Sequence, residues 1–146
     1  MRDPTEETPA ERQRRHRRRL RWRGRLAELT EQLELRDGAA RAEIRAAEMA
    51  LETRFPDDYV ELMAGTDGAA GRLAGRRLEL WRVTTLRQEN AARHSPAGLV
   101  IFGSAEPGLL MAFGESGYLL LRPGSGLSGA EEAGETLLAL LESLAG

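Results

Sequence analysis

The sequence predicts an α+β fold, in which helices pack on a largely antiparallel sheet and an arginine-rich helix precedes them. Three observations predict it. Apolar residues recur at helical spacing in the first half of the chain and again at its end, whereas the second half contains short apolar runs typical of strands. Two of these runs flank a short glycine-containing linker, which is typical of an antiparallel hairpin. Helices and strands in separate blocks, without strict alternation, indicate an α+β layer fold.

Composition divides the 146-residue chain into a basic leader, residues 1–38, and a domain at residues 39–146. Residues 1–26 hold ten arginines against four acidic residues, a net charge of +6. Residues 27–146 hold eleven arginines against 19 acidic residues, a net charge of −8. The chain has no cysteine, which excludes disulfides, thiolate metal sites and cysteine nucleophiles. No apolar run is long enough to span a membrane and no secretory signal is evident, so we expect a cytoplasmic protein.

The leader predicts a disordered segment at residues 1–10 and then a helix from about Arg12 to Arg36. The apolar stripe of this helix consists of Trp22, Leu26, Leu29 and Leu33. Clustered arginines displace counterions from phosphate, so one interpretation is an arm that binds nucleic acid, with Trp22 stacking on a base. The alternatives are a solvated charge run produced by arginine-rich codon usage, and an arm that contacts the acidic domain or an acidic partner. We favour the solvated charge run.

Two helices are predicted at the start of the domain. Ile44, Ala47 and Leu51 lie on one face of the first helix. Pro56 is predicted at the first position of the second helix, where its missing N–H is not needed. The glycine turn that begins at Gly65 ends this helix. Its buried stripe is predicted to consist of Tyr59, Leu62 and Met63.

Two adjacent acids, Asp57 and Asp58, open the second helix. Paired carboxylates can act as general acid and base or bind a metal ion. Neighbouring helical side chains diverge by ~100°, however, because the helix has 3.6 residues per turn. We therefore interpret both acids as partners of the positive end of the helix dipole.

The middle of the domain predicts a loop, a strand and a short helix. Residues 68–75 are rich in glycine and predict a flexible loop. Leu78, Leu80 and Val83 alternate with polar residues and predict a strand, with Trp81 on its other face. A short helix is predicted next, with Thr84-Thr85 as its cap and Leu86 and Asn90 within it.

The last third of the chain predicts three strands and a closing helix. The first strand, residues 99–103, is almost continuously apolar, which predicts a central position in the sheet. Residues 109–113 and 118–121 predict two more strands, joined by a hairpin turn at residues 114–117. The closing helix is predicted from about residue 130 to residue 144. Its apolar face consists of Leu137, Leu140, Leu141 and Leu144.

Several local patterns resemble catalytic or cofactor motifs and are rejected. Residues 124–129 match GxGxxG, but too little chain follows for the second parallel strand that a dinucleotide site needs. His16 and His94 are the only histidines, and neither has a partner at metal-ligand spacing. Ser104 follows a strand, but its surroundings do not match GxSxG, so we interpret it as a turn hydroxyl. We therefore expect no catalytic residues, no metal ligands and no cofactor.

The domain resembles the SUKH superfamily over about residues 40–145. The first carriers of this resemblance are Ile44, Ala47-Glu48, Leu51, Phe55-Pro56, Asp58-Tyr59 and Asp67-Gly68. The later ones are Leu78, Leu80-Trp81, Asn90, Phe102-Gly103-Ser104, Ala112-Phe113 and the leucine-rich final helix. Two features depart from the family pattern. Residues 105–109 replace an acidic, glycine-rich stretch, so Glu106 is the acid that remains there, and Gly114 replaces an acid after Phe113.

The resemblance implies a non-catalytic protein-binding domain. The superfamily contains bacterial immunity proteins that bind a cognate toxin, often a nuclease, and a fungal regulator of cell-wall synthesis of the Smi/Knr type. The acidic domain would suit a basic, nucleic-acid-binding toxin. The contact surface that we expect consists of Asp57, Asp58, Trp81, Ser104 and Glu106. The alternatives are a regulatory or scaffold protein of the Smi/Knr type and a nucleic-acid-associated protein that uses the arginine-rich arm.

Overall fold

The computed structural model describes residues 8–9, 24–122 and 130–146. These residues form an α+β domain with one seven-stranded antiparallel sheet. The helices, in chain order, are α1 (Gly24–Leu29), α2 (Arg41–Ala50), α3 (Asp57–Gly65), α4 (Leu86–Ala92) and α5 (Leu137–Ala145), with a 3-10 turn at Val83–Thr85. The strands are β1 (Leu33–Leu35), β2 (Ala69–Leu73), β3 (Arg76–Leu80), β4 (Val100–Ala105), β5 (Leu109–Gly114), β6 (Gly117–Leu121) and β7 (Glu131–Gly134).

Every strand pairs with its neighbours in chain order, so the sheet is an antiparallel meander from β1 to β7. β4 occupies the central position, as the almost continuous apolar run over residues 99–103 predicts. The turns therefore alternate between two ends of the sheet. The β2–β3 and β4–β5 turns lie at one end, and the β5–β6 turn lies at the other.

The core consists of the buried faces of the helices packed against one face of the sheet. Its centre is an aromatic cluster in which Tyr59 of α3 lies 5.1 Å from Phe102 and 5.0 Å from Phe113, centroid to centroid. Phe55 and Tyr118 pack at the edge of the same cluster in edge-to-face geometry. Offset and edge-to-face arrangements of this kind add to the free energy gained by burying the rings.

A register shift between Ile101 and Gly103 lets β4 contribute Phe102 to this core. β3 ends at Leu80, opposite Gly103, so it does not reach Ile101. The amide of Asn90 takes its place: Nδ2 donates to the carbonyl of Ile101 at 2.9 Å, and Oδ1 accepts from its N–H at 2.8 Å. A buried side chain of α4 therefore satisfies the backbone N–H and carbonyl of Ile101 on the side of β4 that β3 does not reach.

The predicted helices of the domain are present, although the closing helix begins later than expected. Ile44 and Ala47 are the buried residues of α2, and the buried face of α5 has the four predicted leucines. α3 begins at Asp57, so Pro56 lies just before it and not within it. Its stripe of Tyr59, Leu62 and Met63 is buried as predicted.

Three strands, β1, β2 and β7, were not predicted. Each lies where the sequence had predicted a different structure. The leader helix does not continue to Arg36, because residues 33–35 form β1 and pair with β2. Residues 68–75 are not a flexible loop: they form β2 and a tight turn at Ala74-Gly75, where both residues have positive φ. The closing helix begins at Leu137, not near residue 130, because residues 131–134 pair with β6 as β7.

Two smaller expectations were also wrong. The strand predicted to reach Val83 ends at Leu80, and Val83 begins the 3-10 turn. Ser104 is not in a turn: it lies within β4 and pairs with Glu79 on one side and Leu110 on the other. The polar serine is therefore part of a sheet face, where its side chain is partly exposed.

Some expectations concern residues outside the described ranges. They are the arginine-rich helix as far as residue 23, with His16 and Trp22, and the GxGxxG segment at residues 124–129. They remain predictions from the sequence.

Candidate functional site

An acidic depression lies at the end of the sheet that carries the β5–β6 turn. It has a volume of about 870 Å³. Three exposed carboxylates line it: Asp57 at the start of α3, Glu115 in the β5–β6 turn, and Glu135 between β7 and α5. Arg54 is the one basic residue among the described residues that line it. The depression therefore carries a net formal charge of −2 and favours a cationic group.

Aromatic residues of the core form the apolar part of this acidic depression. Phe55, Phe113 and Tyr118 line it, although each is almost completely buried in the fold. The backbone of Phe55 is held by a hydrogen bond, because its N–H donates to Oε2 of Glu48 at 2.8 Å. A charged group of a partner that carries an aliphatic stem, such as an arginine, would find both apolar contact and carboxylates here.

Asp58 has a different role from its neighbour Asp57. Its Oδ1 accepts a 2.6 Å hydrogen bond from the hydroxyl of Tyr118, and its Oδ2 accepts a 2.7 Å hydrogen bond from the N–H of Leu137. One carboxylate thus joins the first turn of α3 to β6 and to the first turn of α5. The interpretation of Asp58 as a partner of its own helix alone was therefore incomplete.

The two tyrosines beside this carboxylate are held in their neutral form. Burial raises the pKa of Tyr118 far above its usual value, and the hydrogen bond to Asp58 raises it further. Burial likewise raises the pKa of Tyr59, and the negative charge of Asp67 adds to the effect. The hydroxyl of Tyr118 therefore stays protonated and donates to Asp58 at a pH where a solvent-exposed tyrosine would ionise.

Trp81 lies away from the acidic depression and just beyond the end of β3. It is 9% exposed, and the guanidinium of Arg93 lies 4.6 Å from its ring centroid. Arg93 is also paired with Glu89. A cation–π contact of this kind covers the ring, so the tryptophan presents little surface to a partner in this conformation.

Ser104 and Glu106 lie toward the opposite end of the sheet from Asp57. They line another, smaller depression of about 270 Å³ beside the β4–β5 turn. β5, with its six residues, separates this turn from the β5–β6 turn, a distance of roughly 20 Å at about 3.4 Å per residue. Of the five residues expected at the contact surface, the structure brings Asp57 and Asp58 together and Ser104 and Glu106 together, with Trp81 apart from both pairs.

Sequence reasoning missed Glu115 and Glu135. Glu115 was considered only as part of a hairpin turn, and Glu135 was placed inside the closing helix. The signal that could have found Glu135 is Thr136, because its hydroxyl caps α5 by accepting from the N–H of Ala139 at 3.1 Å. A threonine just before an apolar helical run marks the helix start and leaves the preceding acid outside it.

The described residues contain neither a metal-binding cluster nor a membrane-spanning helix. Residues 24–122 and 130–146 contain no group of three or more histidine, aspartate or glutamate side chains that is arranged to hold a metal ion. None of the helices in these ranges is long and apolar enough to cross a membrane.

This chain matches no protein-family model and no curated protein sequence.

Proposed function

We propose that this chain is a non-catalytic protein-binding domain that binds a basic protein partner through the acidic depression, as an immunity protein that neutralises a cognate bacterial toxin. The observation that carries the proposal is the convergence of Asp57, Glu115 and Glu135 around one depression, where Arg54 is the one basic residue that the described part of the chain contributes. The three acids come from separate parts of the chain. Only the fold brings them to the same place.

The charge of the whole domain supports a basic partner. The described residues hold 12 arginines against 19 acidic residues, a net formal charge of −7. A surplus of this size raises the rate at which a cationic protein arrives, and carboxylates in a depression orient it on arrival. A nuclease toxin carries a basic surface for its own substrate, so an acidic domain could bind that surface and exclude nucleic acid.

The resemblance to the SUKH superfamily supports the same function. The residues that carry it have structural roles in the fold: Glu48 holds Phe55, Asp58 joins three elements, and Asn90 completes β4. Glu115 and Glu135 lie outside those motifs, and Asp57 occupies the position between Pro56 and Asp58 at which the motif does not specify a residue. The motif residues hold the fold together, and the acids of the depression are left available to a partner.

The proposal is tested by capture and then by binding measurements. The tagged full chain is used to capture partners from the lysate of its native cell after nuclease treatment, which removes proteins held only through nucleic acid. The captured protein is purified and its affinity for the wild-type chain is measured by isothermal titration calorimetry. We expect one basic partner with a toxin domain and an affinity that falls as salt concentration rises.

The double variant D57R/E115R reverses two charges of the depression without touching Asp58. We expect it to bind the partner at least 100-fold more weakly, since about 1.4 kcal/mol lost for each reversed charge corresponds to about tenfold. The matched control is E61R, which reverses an exposed acid on the same helix as Asp57 but outside the depression. Equal binding by D57R/E115R and E61R would refute the depression as the contact site.

A further inference from the structure

The sheet face opposite the aromatic cluster carries two adjacent rows of opposite charge. Strand pairing places Glu34, Ala70 and Glu79 side by side across β1, β2 and β3 in the first row. Arg72 and Arg77 pair across β2 and β3 in the second row. The rows are two residues apart along each strand, which corresponds to about 7 Å at about 3.4 Å per residue.

The four charged side chains of these rows are exposed and lack ion-pair partners within residues 24–122 and 130–146. The guanidinium of Arg72 donates to the carbonyl oxygen of Gly75, at 2.9 Å in the turn that follows it. Arg72 and Arg77 lie directly opposite each other on antiparallel strands, an arrangement that destabilises a hairpin when the charges are alike. A negative charge from a facing surface, placed over this arginine pair, would reduce the repulsion between them.

Ala70 and Ser104, on the strands on either side of β3, have short side chains, so this face of the sheet is recessed at both positions. Ala70 lies in a depression of about 560 Å³, which the four charged residues of the two rows also line. Ser104 continues the first row onto β4 and lines the depression of about 270 Å³ beside it. Long side chains from a facing surface can therefore reach the backbone level of the sheet.

We propose that a second copy of this chain covers this face and forms a twofold-symmetric homodimer. A twofold interface uses the same patch on both subunits and requires it to be self-complementary. We place the twofold axis between the two sheets, perpendicular to the strands and midway between the two rows. The row of Glu34 and Glu79 in each copy then faces the row of Arg72 and Arg77 in the other copy. Glu79 of one copy then faces Arg77 of the second copy, and Arg77 of the first copy faces Glu79 of the second.

The same axis gives partners to the neighbouring residues. Glu34 lies diagonally opposite Arg72 of the second copy. Glu106 lies level with the arginine row, because its N–H donates to the carbonyl of Arg77 at 2.9 Å. Ser104 of one copy therefore faces Glu106 of the second copy, and its hydroxyl can donate to that carboxylate. Leu110, which pairs with Ser104 and is partly exposed, adds apolar contact to the row.

This homodimer is independent of the proposed partner binding. The charged rows lie toward the β2–β3 turn, whereas the acidic depression lies at the end that carries the β5–β6 turn. Each copy in the dimer therefore keeps its acidic depression open.

Charge reversal and charge exchange test the dimer directly. The molar mass of the full chain is measured by light scattering during size-exclusion chromatography, across a range of protein and salt concentrations. We expect the wild-type chain to have twice the mass of one chain at low salt and to dissociate as salt rises. We expect R77E and E79R to be monomeric, because each places like charges opposite each other across the interface. The exchange variant R77E/E79R restores opposite pairs and should regain the dimer.

The control is R87E, an exposed charge reversal on α4 away from the face. It should leave the mass at the wild-type value, and circular dichroism confirms that each variant is folded. A monomeric wild-type chain would overturn the proposal. So would a dimer that survives both single reversals, or an exchange variant that stays monomeric while folded.

Discussion

The hydroxyl of Tyr118 donates a 2.6 Å hydrogen bond to Oδ1 of Asp58 across 60 residues of sequence. The same carboxylate accepts from the N–H of Leu137 at the start of α5. The hydrogen bond between Tyr118 and Asp58 joins α3, which carries Asp57, to β6, which follows the turn that carries Glu115. The relative positions of the acids in the proposed binding site therefore depend on these partly buried hydrogen bonds, in which none of the three acids takes part.

Removing the hydroxyl group should lower the free energy of unfolding at Tyr118 but not at Tyr59. Y118F leaves Asp58 without one of its donors, and we expect the free energy of unfolding to fall by about 1.5–3 kcal/mol. The hydroxyl of Tyr59 is buried and has no hydrogen-bond partner among the described residues. We expect Y59F to leave stability unchanged or to raise it by up to about 1 kcal/mol. Urea denaturation measures both, and equal losses for the two variants would contradict the assigned roles.

The chain should lose stability at alkaline pH through these tyrosines. Burial raises the pKa of both in the folded state, whereas in the unfolded chain it lies near 10. The stability that these buried tyrosines contribute is therefore fully present below about pH 10. It is lost as the pH rises from there through the pKa values of the tyrosines in the folded chain. The expected loss is up to about 1.4 kcal/mol per pH unit for each tyrosine.

The composition makes this alkaline titration easy to interpret. The chain has two tyrosines, no cysteine and no lysine, and arginine does not titrate in this range. We expect tyrosinate absorbance to appear only together with the loss of circular dichroism. Y59F should halve the dependence of stability on pH above 10. Tyrosinate signal from a chain that is still folded would show that the tyrosines are not buried as described.

Asn90 should be essential for the centre of the sheet. N90L keeps the size of the side chain but leaves the N–H and carbonyl of Ile101 without the partners described above. We expect the free energy of unfolding to fall by about 2–4 kcal/mol, since two buried backbone groups lose their hydrogen bonds. Q88A changes an exposed residue of the same helix and should alter it by less than about 0.5 kcal/mol. A small effect of N90L would mean that Ile101 finds other partners.

Two strand glycines should respond differently to alanine. A Cβ at Gly103 would lie 2.4 Å from the carbonyl oxygen of Glu79 and 2.6 Å from Cε of Met111, so β3 and β4 would have to separate. We expect G103A to lower the free energy of unfolding by about 1–3 kcal/mol or more. A Cβ at Gly114 would meet its nearest atom, Cδ1 of Leu99, at 3.6 Å. G114A should therefore be neutral or slightly stabilising in thermal unfolding, and the reverse order would contradict the strand register.

The sequence was sufficient for elements whose apolar pattern is long and regular. The faces of α2, α3 and α5, the central β4 and the β5–β6 hairpin follow from helical spacing or from continuous apolar runs. The three missed strands lack such a signal. Leu33-Glu34-Leu35 is too short to distinguish a strand from the end of a helix with Leu29 and Leu33 on one face.

β2 and β7 depend on pairing more than on their own composition. β2 contains Ala69, Ala70 and Gly71, and its turn places Ala74 at positive φ, where asparagine or glycine would have signalled a hairpin. β7 contains two glutamates and a glycine, which have low strand propensity, and it forms at the edge beside β6. Tertiary contacts decide both strands.

The candidate site was only partly predictable for a related reason. Asp57 could be nominated because it opens a helix, but Glu115 and Glu135 become its neighbours only when the sheet forms. Asp58 and Asn90 both appeared in the family-like motifs, yet their bonds join residues far apart in sequence or in different elements. Local patterns indicated that these residues matter without indicating what they contact.

The most direct test of the proposed function is a protection assay in cells. The captured toxin is produced under an inducible promoter together with the wild-type chain, with D57R/E115R, or with the control E61R, all at equal abundance. We predict survival with the wild-type chain and with E61R, and cell death with D57R/E115R. Death in the presence of the wild-type chain, or equal survival with all three, would contradict the account of an immunity protein that acts through its acidic depression.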